Sequence, residues 1–138
     1  MELRRATYLD WEFIRKVRNA GKEGFFVSED VSIDEHEKFM AMHGRDYYIG
    51  VEEGEDVGFI GVVNDDIRVG VCKKRRGRGL GSKLIKKYTD EFLQSGRQHY
   101  IEAVIKKDNI ASITAFEHAG WVRVQFGDRI VMRPAINK

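Results

Sequence analysis

The chain has 138 residues, with 24 Lys and Arg against 22 Asp and Glu, for a net charge of +2. That near balance makes no electrostatic demand for a nucleic-acid or membrane partner, and 42% apolar with 33% charged residues fits one globular domain over 1–138 with its own core. The single cysteine, Cys72, excludes an internal disulfide framework and fits a reducing cytoplasm, no apolar run reaches signal-peptide or membrane-spanning length, and no metal site is expected.

In chain order, Leu3 to Ala6 reads as a first strand. Asp10 is expected to cap a helix whose apolar positions Trp11, Ile14 and Val17 keep helical spacing, ending at Gly21 and Gly24. A loop with two exposed aromatics, Phe25 and Phe26, leads to Ser32. Ser32 with Glu35 forms a capping box for a second helix carrying Ile33, His36, Phe39, Met40 and His43, closed by Gly44. Strands follow over 46–52 and 57–63, joined at Glu53-Gly54-Glu55-Asp56, and Asn64-Asp65-Asp66 turns into a strand over 67–71.

A long helix runs from Gly79 to near Gly96, with Leu80, Leu84, Ile85, Tyr88 and Phe92 on one face. Tyr100 to Ile105 is an apolar-rich strand that His99 enters from solvent. Asp108 or Asn109 starts a helix carrying Ile110, Ile113 and Phe116 and ending at Gly120. Trp121–Phe126 and Arg129–Met132 close the chain as a hairpin around Gly127-Asp128. The order is β-α-α-β-β-β-α-β-α-β-β, a mixed α/β arrangement with a central meander.

The chemistry is concentrated between the strand at 67–71 and the helix that starts at Gly79. There Gly77, Gly79 and Gly81 let the backbone approach a ligand, and the first helical N–H groups, with the helix dipole behind them, suit phosphate or pyrophosphate. Arg75, Arg76 and Arg78 add charged donors. The stretch lacks the Gly-Lys-Ser/Thr of a P-loop and the spacing and acidic residue of a dinucleotide fingerprint. The run Lys73-Lys74-Arg75-Arg76-Gly77-Arg78 also reads as a nucleic-acid patch, but its glycine spacing and the balanced charge elsewhere favour a polyanionic cofactor.

Arg76-Gly77-Arg78-Gly79-Leu80-Gly81, with Val71 five residues upstream, resembles the Arg-x-x-Gly-x-Gly pyrophosphate loop of the GCN5-related N-acetyltransferase (GNAT) family. Asn109-Ile110-Ala111-Ser112-Ile113-Thr114-Ala115-Phe116-Glu117-His118-Ala119-Gly120-Trp121 is similar to that family's second motif, and the element order agrees over nearly the whole chain. The resemblance implies a sheet splayed between the fourth and fifth strands, with acetyl-coenzyme A (acetyl-CoA) in the opening. It implies cofactor contacts from Val69, Gly70 and Val71 as a pairing edge. Arg76, Gly77, Arg78, Gly79, Leu80, Gly81 and Ser82 would meet the pyrophosphate, and Asn109, Ser112 and Phe116 the pantetheine arm. The family often has a proton-donating Tyr where this chain has Phe116, which has no proton to give. The family is also frequently dimeric, and the closing hairpin could pair with a second chain.

Acetyl transfer to an amine needs a base, and the candidates are Glu102, Asp66 and His36. Glu102 is a lone acid in an apolar strand, Asp66 begins the opposite strand, and His36 lies on the second helix. Each also has a structural reading, as an outward strand acid, a turn residue and a packed histidine. Arg18, Phe25 and His36 are expected to meet the acceptor, on a short likeness to family members acting on amino groups of nucleotide-linked sugars and on ribosomal-protein N-termini. A small-molecule amine, an amino sugar among the choices, leads over a peptide amine. A coenzyme-A-binding module without catalysis is the third reading.

Overall fold

The computed structural model describes residues 1–26, 29–94 and 100–135, without the side chains of 92–94. The strands are β1 (Glu2–Arg5), β2 (Tyr47–Glu52), β3 (Glu55–Val63), β4 (Asp66–Val71), β5 (Ala103–Lys106), β6 (Trp121–Gln125) and β7 (Arg129–Pro134). The α-helices are α1 (Trp11–Ala20), α2 (Ile33–His43), α3 (Leu80–Gln94) and α4 (Ile110–His118). They follow one another in the expected order.

The strands form two antiparallel sheets, β1-β2-β3-β4 and β5-β7-β6. The β3–β4 hairpin turns through Asn64 and Asp65, at φ +50° and +66°; Asn and Asp are among the few non-glycine residues that tolerate this region. Among the described residues the backbones of the two sheets pair at one place. Ile67 N–H donates to the Glu102 carbonyl and Glu102 N–H to the Asp65 carbonyl, both at 2.9 Å, which makes a single parallel bridge between Asp66 and Glu102. Beyond it β4 and β5 diverge and leave a wedge.

Alternation along the strands divides the core in two. On one face Ile60, Ile67, Ile101, Ile105, Ile130 and Met132 pack with Leu84, Ile85 and Tyr88 of α3 and with Ile113 and Phe116 of α4. On the other, Tyr47, Ile49, Phe59 and Val63 pack with Ile14 and Val17 of α1 and Met40 of α2. Thus α1 and α2 cover only the first sheet, and among the described residues no helix covers the corresponding face of β5 and β7.

Several expectations need correction. Asp10 does not cap α1 with its side chain; that carboxylate instead closes a capping box on Thr7 and takes two guanidinium N–H groups from Arg4 at 2.8 and 2.9 Å. The first strand runs Glu2–Arg5 and β3 starts at Glu55, two residues early, because the tight turn at Glu53 and Gly54 needs no more chain. Of the apolar stretch 100–105, only Ala103 onward joins the ladder with β7, while Glu102 is taken up by the bridge to Asp66. Ile110 is 63% exposed on the solvent side of the first turn of α4. Ile33 is exposed on α2, and Phe25 is half-buried against the α1/α2 core rather than exposed. The capping box of Ser32 with Glu35 is present as expected. The expectations for Gly96 and His99, and for the side chain of Phe92, lie outside the described residues.

Candidate functional site

The wedge is built by strand register. β4 pairs with β3 from Val63↔Asp66 to Gly58↔Val71. Ile67 N–H points away from β3 to Glu102, and Cys72 N–H points back to the Val57 carbonyl at 2.8 Å. In an antiparallel ladder these directions alternate, so Val69 and Val71 turn their N–H and C=O into the wedge, while Gly70 spends its own on Phe59. Gly70 contributes differently: a Cβ there would lie 2.4 Å from the Phe59 ring and 3.0 Å from Val17. The bare α-carbon therefore lets α1 and β3 close on this strand.

At the open end, the chain passes from β4 into the glycine stretch. Gly77 and Gly79 adopt φ of +80° and +72°, and neither has any atom within 4 Å of an added Cβ. They form an open left-handed turn whose N–H groups are suited to an anion. The first intrahelical bond of α3 is Lys83 N–H to the Gly79 carbonyl, at 3.2 Å. The N–H groups of Leu80, Gly81 and Ser82 therefore have no partner inside the helix. The Leu80 side chain is buried, so this residue offers only its backbone. Gly81 lies between Val71 and Ala115, at 3.7 and 3.8 Å from an added Cβ, where β4 faces α4.

Arg76 donates through Nε to the Val71 carbonyl at 3.4 Å and brings its guanidinium beside Gly21 at the end of α1. Arg78 is exposed next to the turn, and Arg75 is ion-paired with Glu55. Asn109 caps α4, its Oδ1 accepting Ser112 N–H at 3.2 Å, and its Nδ2 donates to the Gly24 carbonyl at 3.4 Å. Phe116 is 3% exposed, in edge contact with Trp121 at 4.9 Å between ring centres.

The closed end of the wedge holds two carboxylates. Asp66 Oδ1 accepts Val104 N–H at 3.2 Å, and its Oδ2 lies 3.7 Å from Arg68 Nε. Burial pushes the Asp66 carboxyl above the ordinary carboxylate range, the Glu102 charge adds to this, and the Val104 and Arg68 donors oppose it. The Glu102 carboxylate accepts the Tyr100 hydroxyl at 2.6 Å, and Arg133 bonds the same hydroxyl. That contact with Glu102 raises the Tyr100 pKa.

His36 lies elsewhere. It is 7% exposed and lines a shallow groove of about 370 Å³ with Tyr8, Trp11, Glu12, Ile33 and Glu37, at the Trp11 end of α1. Burial lowers its pKa. Arg18 and Phe25 belong together at the other end of α1, with the guanidinium 5.1 Å from the ring centre. The loop after α1 crosses to the second sheet. Lys106 Nζ donates to the Glu23 carbonyl at 3.2 Å, and Arg129 lies 4.4 Å over the Phe26 ring.

Sequence reasoning missed Arg68, Arg129 and Arg133. Alternation could have found them, because each shares a strand face opposite buried Ile67, Ile130 or Met132.

A wedge between two strands that leads to a left-handed glycine turn and an open helix start is suited to an extended ligand that carries a phosphate. The chain belongs to the acetyltransferase (GNAT) family, whose model matches residues 10–121 and whose acetyl donor is acetyl-CoA. No curated protein sequence matches it. Among solved structures it is similar to ribosomal-protein-alanine N-acetyltransferase from Brucella melitensis, at 21% identity over 96% of this chain and 98% of that one, with a TM-score of 0.77. It is similar to yncA from Salmonella typhimurium, solved with its cofactor acetyl-CoA, at 22% identity over 100% and 98%, with a TM-score of 0.73. A third is spermidine N-acetyltransferase from Vibrio cholerae, in complex with CoA and spermine, at 18% identity over 95% and 92%, with a TM-score of 0.77. At these identities the likeness shows the fold.

Proposed function

We propose that this chain is an N-acetyltransferase that moves an acetyl group from acetyl-CoA directly to the primary amine of a small molecule, with both held together in the wedge. The observation that carries this reading is the pair of inward-facing backbone edges at Val69 and Val71, continuous with the turn at Gly77 and Gly79. Residues and group fit: an extended amide-bearing arm can pair with the strand edge, and a pyrophosphate can take the N–H groups at the start of α3. When bound, acetyl-CoA supplies the acetyl group as a thioester, whose C–S bond breaks as the amine N–C bond forms.

The remaining work falls to the chain. Val69 or Val71 N–H can stabilise the oxygen on which charge develops. Asp66 is the base we assign, taking the proton from the attacking amine. Its pKa lies above that of an ordinary carboxylate, which brings it closer to the proton it must hold, and it faces the α1/α2 side of the wedge. Glu102 supports it by its negative charge and is itself held by Tyr100. Holding amine and thioester in one cleft supplies much of the rate.

A small acceptor is favoured over a peptide by the loop after α1. Its contacts with Lys106, Asn109 and Arg129 cross the wedge on the side where an acceptor would enter. The test is thiol release from acetyl-CoA with small amines and with amine-terminated peptides. Turnover confined to small amines is expected, and turnover confined to peptides would overturn the acceptor class.

A further inference from the structure

Tyr47, Gly61 and Arg68 form one cross-strand row on the α1/α2 face of the first sheet. Tyr47 on β2 lies opposite Gly61 on β3, and Gly61 lies opposite Arg68 on β4. A Cβ at Gly61 would lie 2.6 Å from Cγ and Cδ1 of Tyr47 and 2.8 Å from its Cδ2. The bare α-carbon lets the Tyr47 ring lie across β3 and carries its hydroxyl towards β4, where Arg68 and Asp66 are the charges that act on it. Phe59 and Phe39 hold the ring in place, at 5.9 and 6.4 Å between ring centres.

Packing accounts for the ring and leaves the hydroxyl unexplained. Tyr47 is 3% exposed among Met40, Ile49, Phe59 and Val63, a setting that Phe would fill as well. Among the described residues its hydroxyl makes no hydrogen bond, and Arg68 turns its Nε to Asp66 Oδ2 at 3.7 Å instead. Two side-chain atoms among the described residues are shut from solvent without a partner, His36 Nε2 and Glu52 Oε2. The Tyr47 oxygen is not one of them, so solvent reaches it. Burial pushes the Tyr47 pKa up to about 12, with Arg68 opposing and Asp66 adding to the shift. The hydroxyl therefore keeps its proton at neutral pH and can accept as well as donate.

We propose that Tyr47 is a further acceptor-binding residue, its hydroxyl oxygen accepting one N–H of the amine whose other proton goes to Asp66. This rests on the acetyltransferase reading above and adds to it a second contact to the acceptor, on the opposite side of β4 from α3. The contact is made in the bound amine and kept as the N–C bond forms, so it acts on binding.

The experiment compares the intact protein with Tyr47→Phe, using glucosamine, alaninamide, ethanolamine and spermidine as amines. Thiol release from acetyl-CoA gives kcat and the KM of both substrates. Calorimetry of the same amines into the CoA-loaded protein gives binding independently of turnover. For the amines that turn over, Tyr47→Phe is expected to raise KM and the dissociation constant by about three- to tenfold, the scale of one hydrogen bond. It should leave kcat within about twofold and the KM of acetyl-CoA unchanged. Without ligand its denaturation midpoint should be no lower, because no internal hydrogen bond is lost.

Amine constants that Tyr47→Phe leaves unchanged would overturn the proposal. An equal rise in the KM of acetyl-CoA would do the same by placing the hydroxyl against the cofactor. A lower denaturation midpoint would give the hydroxyl a partner inside the fold and contradict its availability to an amine. If none of the four amines binds or turns over while acetyl-CoA still raises the melting temperature, the Tyr47 contact falls and the cofactor reading stands. If acetyl-CoA leaves the melting temperature unchanged, the reading beneath it falls.

Discussion

The Asp66 carboxylate accepts the backbone N–H of Val104 at 3.2 Å, one step beyond the bridge between Asp66 and Glu102. A side chain on β4 thus satisfies a donor on β5 that a continuous sheet would have given to a strand carbonyl. It ends the pairing and opens the wedge, and the same carboxylate is the base assigned to the reaction.

These two roles separate by substitution. Asp66→Asn keeps an oxygen for Val104 N–H but cannot take a proton. It is expected to melt near the unsubstituted protein while kcat falls by about 10²- to 10⁴-fold, the range of general-base contributions. Asp66→Ala also leaves the Val104 N–H without its acceptor and costs about 1–3 kcal/mol of stability. Steady-state kinetics and denaturant titration on both variants check this, and an active Asp66→Asn protein would remove the base from Asp66.

At Gly79, φ of +72° lies in the left-handed region, and nothing crowds an added Cβ. Gly79→Ala therefore pays only backbone strain, about 1–2 kcal/mol. Gly79→Asp adds a negative side chain where a pyrophosphate would lie. Calorimetric titration with acetyl-CoA is expected to show far weaker binding for Gly79→Asp than for Gly79→Ala, with similar denaturation midpoints for the two.

His36 makes a pH prediction away from the wedge. Burial holds its folded pKa below the ordinary 6.5, with Glu12 opposing and Arg15 and Arg18 adding to the shift. Between the two pKa values the unfolded chain binds more protons, so stability rises with pH through that window and is lost as pH falls below 6.5. In His36→Gln this part of the slope should vanish. Denaturant melts at about pH 5 and about pH 7.5 measure it, and an equal slope in both proteins would contradict the assignment.

Inside the larger core, Trp121 Nε1 donates to Thr89 Oγ1 at 3.0 Å, and the Thr89 hydroxyl donates in turn to the Ile85 carbonyl at 2.6 Å. Thr89→Val keeps the shape but leaves the indole N–H buried and unpaired, at about 1–3 kcal/mol. Kinetic constants should hold while the denaturation midpoint falls.

Features that rest on local chemistry were legible in the sequence. Ser32 and Glu35 cap α2 because both partners sit within one turn, and the left-handed turn at Gly77 and Gly79 needs residues without a Cβ. Asp10 read as a helix cap because its partner, Arg4, is fixed by a strand and not by spacing. Glu102 read as a lone acid in a cleft. Its partner Tyr100 lies only two residues away, but the Arg133 that bonds the same hydroxyl is placed by how β7 lies beside β5, which no local pattern encodes. The stacking of Arg68 on Phe39 and of Arg129 on Phe26 was illegible for the same reason, since each joins a strand to a distant helix or loop.

The most direct test is a thermal melt with and without acetyl-CoA, with dephospho-CoA and NAD as controls. A ligand bound only by the folded chain adds about 2.7 kcal/mol at a hundredfold excess over its dissociation constant. A clear rise with acetyl-CoA and none with NAD is the predicted result. No rise at millimolar acetyl-CoA would contradict the account, leaving the turn at Gly77 and Gly79 as a connection between β4 and α3 and no more.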